Sequence, residues 1–153
     1  MAKTDQRRPQ PTGEPLRFMQ RLWDLAHALD VRSKHMAKAL GVTSPQRLVI
    51  RVVGQSPEMT ARDIAATLNI HPSTLTGVLA RLETQGMITR SIDPEDRRRA
   101  HFKLTPAGLK IDKERKGTVE AAVRRTLARA DDDIVGKAEQ MLSLLVEELS
   151  RED

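Results

Sequence analysis

No cysteine occurs among the 153 residues, which excludes disulfide scaffolds, thiolate zinc sites and thiol redox sensing. Tyrosine is also absent, and Phe18, Trp23 and Phe102 are the only Phe or Trp residues. Any core must therefore be aliphatic, and a Leu- and Ala-rich chain with few β-branched runs leans helical. Single-stranded RNA recognition by base stacking would have almost no rings to use. No apolar run reaches the ~20 residues of a membrane span and no secretory leader is recognisable, so a cytoplasmic protein with no membrane partner is expected. Glycine-rich phosphate loops, His-Glu-x-x-His and Gly-x-Ser-x-Gly are missing, so neither an enzyme nor a cofactor is expected.

Positive charge is what the chain has in excess. The net charge of +5 conceals an asymmetry: eight acids against two bases leave residues 131–153 at −6, and residues 1–130 at +11. A basic body attracts polyanions, among which nucleic acid is the commonest.

Residues 1–15 (MAKTDQRRPQPTGEP) mix proline, glycine and charge and read as a disordered arm in which Arg7 and Arg8 are solvated. From Leu16 the apolar positions follow helical spacing through Met19, Leu22, Trp23, Ala26, Met36 and Leu40, with Gly41 as the stop. Thr43-Ser44-Pro45 starts a second helix, with Leu48, Val49, Val52 and Val53 as its buried stripe and Gly54 as its end. Thr60 and Asp63 form a capping box for a short helix burying Ile64, Ala65 and Leu68. After the turn Asn69-Ile70-His71, Pro72 opens a helix that buries Leu75, Val78, Leu79 and Leu82 and runs to Gly86. Two short helices joined by so tight a turn fit helix-turn-helix geometry.

The outer face of the second of these helices carries Ser73, Thr74, Thr76, Gly77, Ala80 and Arg81. Small polar side chains let a helix approach base edges closely in a major groove. Next come two alternating stretches, Met87–Ile92 and Ala100–Leu104, joined by Asp93-Pro94-Glu95-Asp96-Arg97-Arg98-Arg99. They predict a hairpin with three arginines at its tip. Beside a helix in the major groove, such a tip points at the minor groove, where arginine is favoured. Arg98 is the expected inserted side chain, held extended by Asp96 accepting from its guanidinium, with Arg97 and Arg99 on phosphates. Thr105-Pro106 caps a long helix interrupted at Gly108 and Gly117. Asp131 caps a last helix striped with Ile134, Ala138, Met141, Leu142, Leu145 and Leu149.

The stretches GVTSPQRLVI, TARDIAATLNIHPSTLTGVLARLETQGMITR and DPEDRRRAHFKLTPAG together resemble the multiple-antibiotic-resistance regulator (MarR) family over about residues 16–150. The resemblance implies a mainly α fold with a small β-hairpin wing, a winged helix-turn-helix core flanked by dimerisation helices. Its parts would be residues 1–15 (arm), 16–42 (N-terminal dimerisation helix), 43–104 (DNA-binding domain) and 105–153 (C-terminal dimerisation helices). It implies a homodimer on double-stranded DNA, and in this family the wing's Asp-x-Arg pair falls on Asp96 and Arg98. It also implies a crevice between the lobes for a small aromatic or phenolic effector, with Trp23, His27 and Arg51 as candidate lining residues. End-helix stripes that a winged helix of about 90 residues cannot cover support the dimer independently. The expected function is a transcriptional regulator, a repressor, on a pseudo-palindromic operator. DNA binding without an effector, or a protein-contact role, stands as the alternative. His27 and His35, two turns apart, are too distant to hold one metal ion without further ligands, and no metal site is expected.

Overall fold

A computed structural model describes residues 13–151; the expectations for residues 1–12 lie outside them. Seven helices and three short strands follow in chain order: α1 (Glu14–Leu40), α2 (Ser44–Gln55), β1 (Met59–Thr60), α3 (Ala61–Leu68), α4 (Pro72–Thr84), β2 (Ile88–Ile92), β3 (Ala100–Leu104), α5 (Pro106–Lys113), α6 (Val119–Leu127) and α7 (Asp132–Leu149). The chain is thus mainly helical with a small antiparallel sheet, as expected.

Local chemistry sets most boundaries. The side chains of Thr43, Thr60, Thr105, Thr118 and Asp131 each accept an amide hydrogen at the start of a helix, and Thr43 and Thr60 complete capping boxes with Gln46 and Asp63. Gly41 ends α1 in the left-handed conformation, its amide donating to Ala37 O. Helix α1 begins at Glu14, so Gly13, Glu14 and Pro15 belong to a helix start and not to an arm; proline near a helix start loses no bond that the helix needs.

The core lies among α2, α3, α4 and the sheet: Val42, Val49, Ile50, Val53, Ile64, Leu75, Leu79, Leu82, Ile88 and Phe102 are buried. Four details differ from expectation. Leu48 is exposed, and α2 instead buries Gln46, Arg47 and Ile50 beside Val49 and Val53. Gly54 lies inside α2, which continues to Gln55; a Cβ there would stand 3.0 Å from Leu104 and 3.1 Å from Asp112. Gly108 likewise lies inside α5, where a Cβ would sit 2.0 Å from the Met87 carbonyl oxygen. The break falls at residues 114–118, where Gly117 has φ +73°.

A third strand was not expected. β3 is central in the order β1-β3-β2, pairing Ile88 with Leu104 and Ile92 with Ala100 on one side, and Met59 with Phe102 on the other. α1 and α7 contribute almost nothing to this core. Met36 is the one buried residue of α1, and α7 buries none, leaving Trp23, Leu29, Met141, Leu142, Leu144 and Leu149 in solvent.

Candidate nucleic-acid interface and inter-lobe crevice

Helix α4 sits behind α3 in a helix-turn-helix. Asn69 turns the chain in the left-handed conformation (φ 49°), and His71 caps α4 by accepting the Ser73 amide at Nδ1, 3.2 Å away. An acceptor role at Nδ1 puts the neutral ring's hydrogen on Nε2. Leu75, Leu79 and Leu82 face the core, so Ser73, Thr74, Thr76, Gly77, Ala80 and Arg81 are exposed as expected. Their hydroxyls are not equally available. Ser73 Oγ lies 2.6 Å from His71 Nδ1 and Thr76 Oγ1 donates to Pro72 O at 2.9 Å, so both offer an outside partner lone pairs only. Thr74 lies on the flank of α4 that lines the inter-lobe crevice. Arg81 has no ion-pair partner among the described residues.

The wing is organised by aspartates bonding to the backbone. Asp93 Oδ1 accepts the amides of Glu95 (2.8 Å) and Asp96 (3.3 Å), and Asp93 N–H donates to Arg99 O. Asp96 Oδ1 accepts the Arg98 backbone amide at 3.0 Å, while its other oxygen stands 3.7 Å from Arg99 Nε. The expected bond from the Arg98 guanidinium to Asp96 is therefore replaced. Two residues of separation suit an Asx-type turn to the amide better than a reach to the end of a long side chain. Arg97, Arg98 and Arg99 are all exposed at the tip.

At the wing's base, His101 Nε2 lies 3.0 Å from Asp93 Oδ2 and its Nδ1 lies 2.6 Å from Glu58 O. Both partners are acceptors, so the pair is satisfied together only by the imidazolium. The hydrogen bond to Asp93, and then the Glu58 carbonyl, raise the His101 pKa above 6.5, and the same bond lowers that of Asp93. Glu58, at φ 72°, also pairs with Lys103 Nζ at 2.5 Å, which lowers its pKa.

A crevice of about 590 Å³ separates α1 from the α3–α4 turn, walled also by α2 and the start of α6. Its lining is mainly Leu29, Met36, Leu48, Leu68, Ile70, Val78 and Val119, with Asp30, Ser33, Ser44, Arg47, Thr74 and Glu120 among them. Trp23, His27 and Arg51 do not line it. Trp23 and His27 lie exposed before Leu29, the first crevice residue of α1, and Arg51 is drawn into ion pairs with Asp112 (2.6 Å) and Glu120 (2.9 Å). The hydrogen bond that Arg51 donates to Asp112 is the main cause raising the Arg51 pKa.

Arg47 is the principal residue that sequence reasoning missed. Its side chain is 2% exposed; Nε donates to Glu120 Oε2 at 2.6 Å, and its two terminal nitrogens donate to the carbonyls of Ile111 and Glu114. One residue thus joins α2 to the end of α5 and the start of α6. Its one local signal is its place three residues before buried Ile50, on the core-facing stripe of α2.

This geometry, a helix-turn-helix followed by a hairpin, defines a winged helix-turn-helix protein. Residues 42–100 match the MarR family model, and this segment is a MarR-family domain. An HTH-type transcriptional repressor of Mycobacterium tuberculosis is 31% identical over 90 residues, 59% of this chain and 65% of that protein, so the match spans just under two thirds of that relative. The homoprotocatechuate degradative operon repressor of Escherichia coli is 29% identical over 112 residues, 73% of this chain and 74% of that protein. Among solved structures, Staphylococcus aureus MepR in a DNA complex superposes with TM-score 0.71 at 18% identity, covering 87% of this chain and 98% of that one. The PcaV regulator of Streptomyces coelicolor with its natural ligand gives 0.67 at 21%, covering 88% and 92%. Likeness at these identities establishes the shared fold.

Proposed function

We propose that the protein is a homodimeric transcriptional repressor that binds a pseudo-palindromic duplex operator and is released by a small ligand in the inter-lobe crevice. The observation that carries this reading is the pairing of a small-faced α4 with an exposed Arg97-Arg98-Arg99 wing in one MarR-family domain. Each α4 enters a major groove, where Arg81 and the lone pairs of Ser73 and Thr76 face base edges and Gly77 permits close approach. Each wing sets Arg98 at the neighbouring minor groove, with Arg97 and Arg99 on phosphates. Asp96 acts as a positioning residue by fixing the turn. The apolar faces of α1 and α7, unpaired in one chain, are covered by a second copy. The mycobacterial and Escherichia coli relatives are named repressors, which supports the direction of control.

The test is selection of bound fragments from random duplex DNA, followed by salt titration on the selected site and sedimentation of the free protein. A two-fold consensus with half-sites about 10 base pairs apart, steep loss of affinity with salt, and a dimer are expected. A monomer, or equal affinity for all duplexes at low salt, would overturn the reading.

A further inference from the structure

The start of α4 fixes the place of one hydrogen atom. The Ser73 amide donates to His71 Nδ1 at 3.2 Å, so that nitrogen carries no hydrogen of its own. Ser73 Oγ lies 2.6 Å from the same nitrogen, and only the serine hydroxyl hydrogen can close that contact. Ser73 therefore turns lone pairs outward and has no hydrogen left to donate. Thr76, three residues further along the same exposed face, commits its hydroxyl hydrogen to Pro72 O at 2.9 Å. The two cases differ in origin. The partner of Thr76 is a backbone carbonyl of its own helix, which any helix offers; the partner of Ser73 is a side chain, which this sequence supplies. In a major groove the distinction has a meaning, because adenine N6 and cytosine N4 are donors whereas guanine O6 and thymine O4 are acceptors. An acceptor-only hydroxyl satisfies an amino group and sets lone pair against lone pair at a carbonyl.

We infer that His71 is a specificity-determining residue: by taking up the Ser73 hydroxyl hydrogen it makes Ser73 an acceptor, which selects an amino group, adenine N6 or cytosine N4, at one base pair of each half-site. The inference rests on the reading of α4 as the helix that enters the major groove, and deepens it by naming the base-edge chemistry that one position accepts. In this role His71 acts through Ser73 and touches no base, so it is a positioning residue. A histidine that served only as a helix cap would change affinity for every duplex alike.

The experiment uses the full-length protein and the duplex selected from random DNA, in competition binding at constant salt and about pH 8, where imidazole is generally neutral. Each base pair of a half-site is reversed in turn, and the pair whose reversal no longer matters in Ser73→Ala is the one Ser73 reads. At that pair the amino group is deleted, with purine for adenine or 2-pyrimidinone for cytosine. The deletion weakens the unaltered protein about fivefold more than Ser73→Ala, one neutral hydrogen bond, while deleting the partner base's carbonyl does not separate the two. His71→Gly, a residue that helix starts accept, frees the Ser73 hydroxyl to donate. The penalty for reversing the pair then falls from about tenfold to about twofold. His71→Asn restores the penalty, since its oxygen both caps α4 and takes the hydroxyl hydrogen. Four results would overturn the inference while the proposed operator binding stands: coupling of Ser73 to the carbonyl, no pair read by Ser73, equal weakening of original and reversed duplexes by His71→Gly, or His71→Asn behaving as His71→Gly does. A protein that selects no operator overturns the proposed DNA reading, and this inference with it.

Discussion

Two glycines in helices predict opposite outcomes from one substitution. Replacing glycine by alanine inside a helix gains about 1 kcal/mol from backbone entropy alone. At Gly77 in α4 a methyl group would meet nothing within 4 Å, so that gain is realised in full. At Gly108 in α5 the new carbon would stand 2.0 Å from Met87 O and 3.1 Å from its carbonyl carbon, well inside contact distance. That oxygen accepts the Thr105 amide at 3.0 Å, while the Thr105 hydroxyl, 3.2 Å from it, donates at 2.6 Å to Gly86 O; the same threonine caps α5. Moving it away strains one hydrogen bond, about 1 kcal/mol, and overpacks the junction of β2 and α5 by about 1–3 kcal/mol. Set against the helix gain, Gly108→Ala destabilises by about 1–3 kcal/mol while Gly77→Ala stabilises by about 1 kcal/mol.

Urea unfolding followed by circular dichroism reads both, at one protein concentration, since the proposed dimer would make the midpoint concentration-dependent. Equal midpoint shifts for the two variants would refute the packing argument, because intrinsic propensity predicts equality. The pair also separates stability from function. Under the proposed recognition mode Gly77→Ala weakens operator binding while the fold becomes more stable, since the methyl stands on the face that approaches the bases.

Other outcomes follow from the same geometry. Arg47→Met orphans the Ile111 and Glu114 carbonyls and costs about 2–5 kcal/mol; Glu120→Gln costs less because Arg47 keeps both carbonyls, and the reverse order in chemical denaturation would sink that assignment. Arg98→Ala lowers the slope of log affinity against log salt by about one unit, and an unchanged slope would remove Arg98 from the contact set. Arg81→Ala relaxes preference at one base pair per half-site, whereas equal loss on every sequence would make it a phosphate contact. The clamp of His101 on Asp93 and Glu58 carries a pH signature. Because the His101 pKa is raised, its stabilisation is complete below 6.5 and is lost as pH rises through the raised value; because that of Asp93 is lowered, the acid limb lies below 3.8. Hydrogen-exchange protection of the wing amides, corrected for intrinsic rates, should fall on the alkaline side, and His101→Gln should flatten that dependence.

Interactions between near neighbours were readable in advance. Thr43, Thr60, Thr105 and Asp131 were recognisable as caps because capping is completed within three residues. The stripe on α4 followed from helical period alone, and the wing from two alternating runs around a proline turn. What escaped depends on distant partners. Strand β1 is two residues long and exists only because β3 offers a free edge. Arg47 finds Glu120 across 73 positions, and its place on the core-facing stripe of α2 gives no sign of the carboxylate and carbonyls that receive its guanidinium. Gly54 and Gly108 looked like punctuation because close backbone approach and helix termination use the same residue type. Asp96 was assigned the right neighbour but the wrong atom: its oxygen reaches the Arg98 amide, so it shapes the loop and leaves the guanidinium unconstrained.

That last distinction changes how the wing is understood. A guanidinium locked by Asp96 would be preorganised for one groove width; one anchored only through its backbone keeps its rotamer freedom until DNA orders it. Ordering a long side chain on binding costs about 2 kcal/mol, so under the proposed binding mode the wing would contribute less affinity than a locked arginine. In exchange it would adapt to minor grooves of different width. Asp96→Ala should therefore act through the loop, weakening all three arginine contacts together and lowering the salt slope by more than Arg98→Ala does. Asp96→Asn, which keeps an oxygen for the Arg98 amide, should retain most of the slope. If Asp96→Asn instead matched Asp96→Ala, the carboxylate charge and not the turn would be what positions the wing.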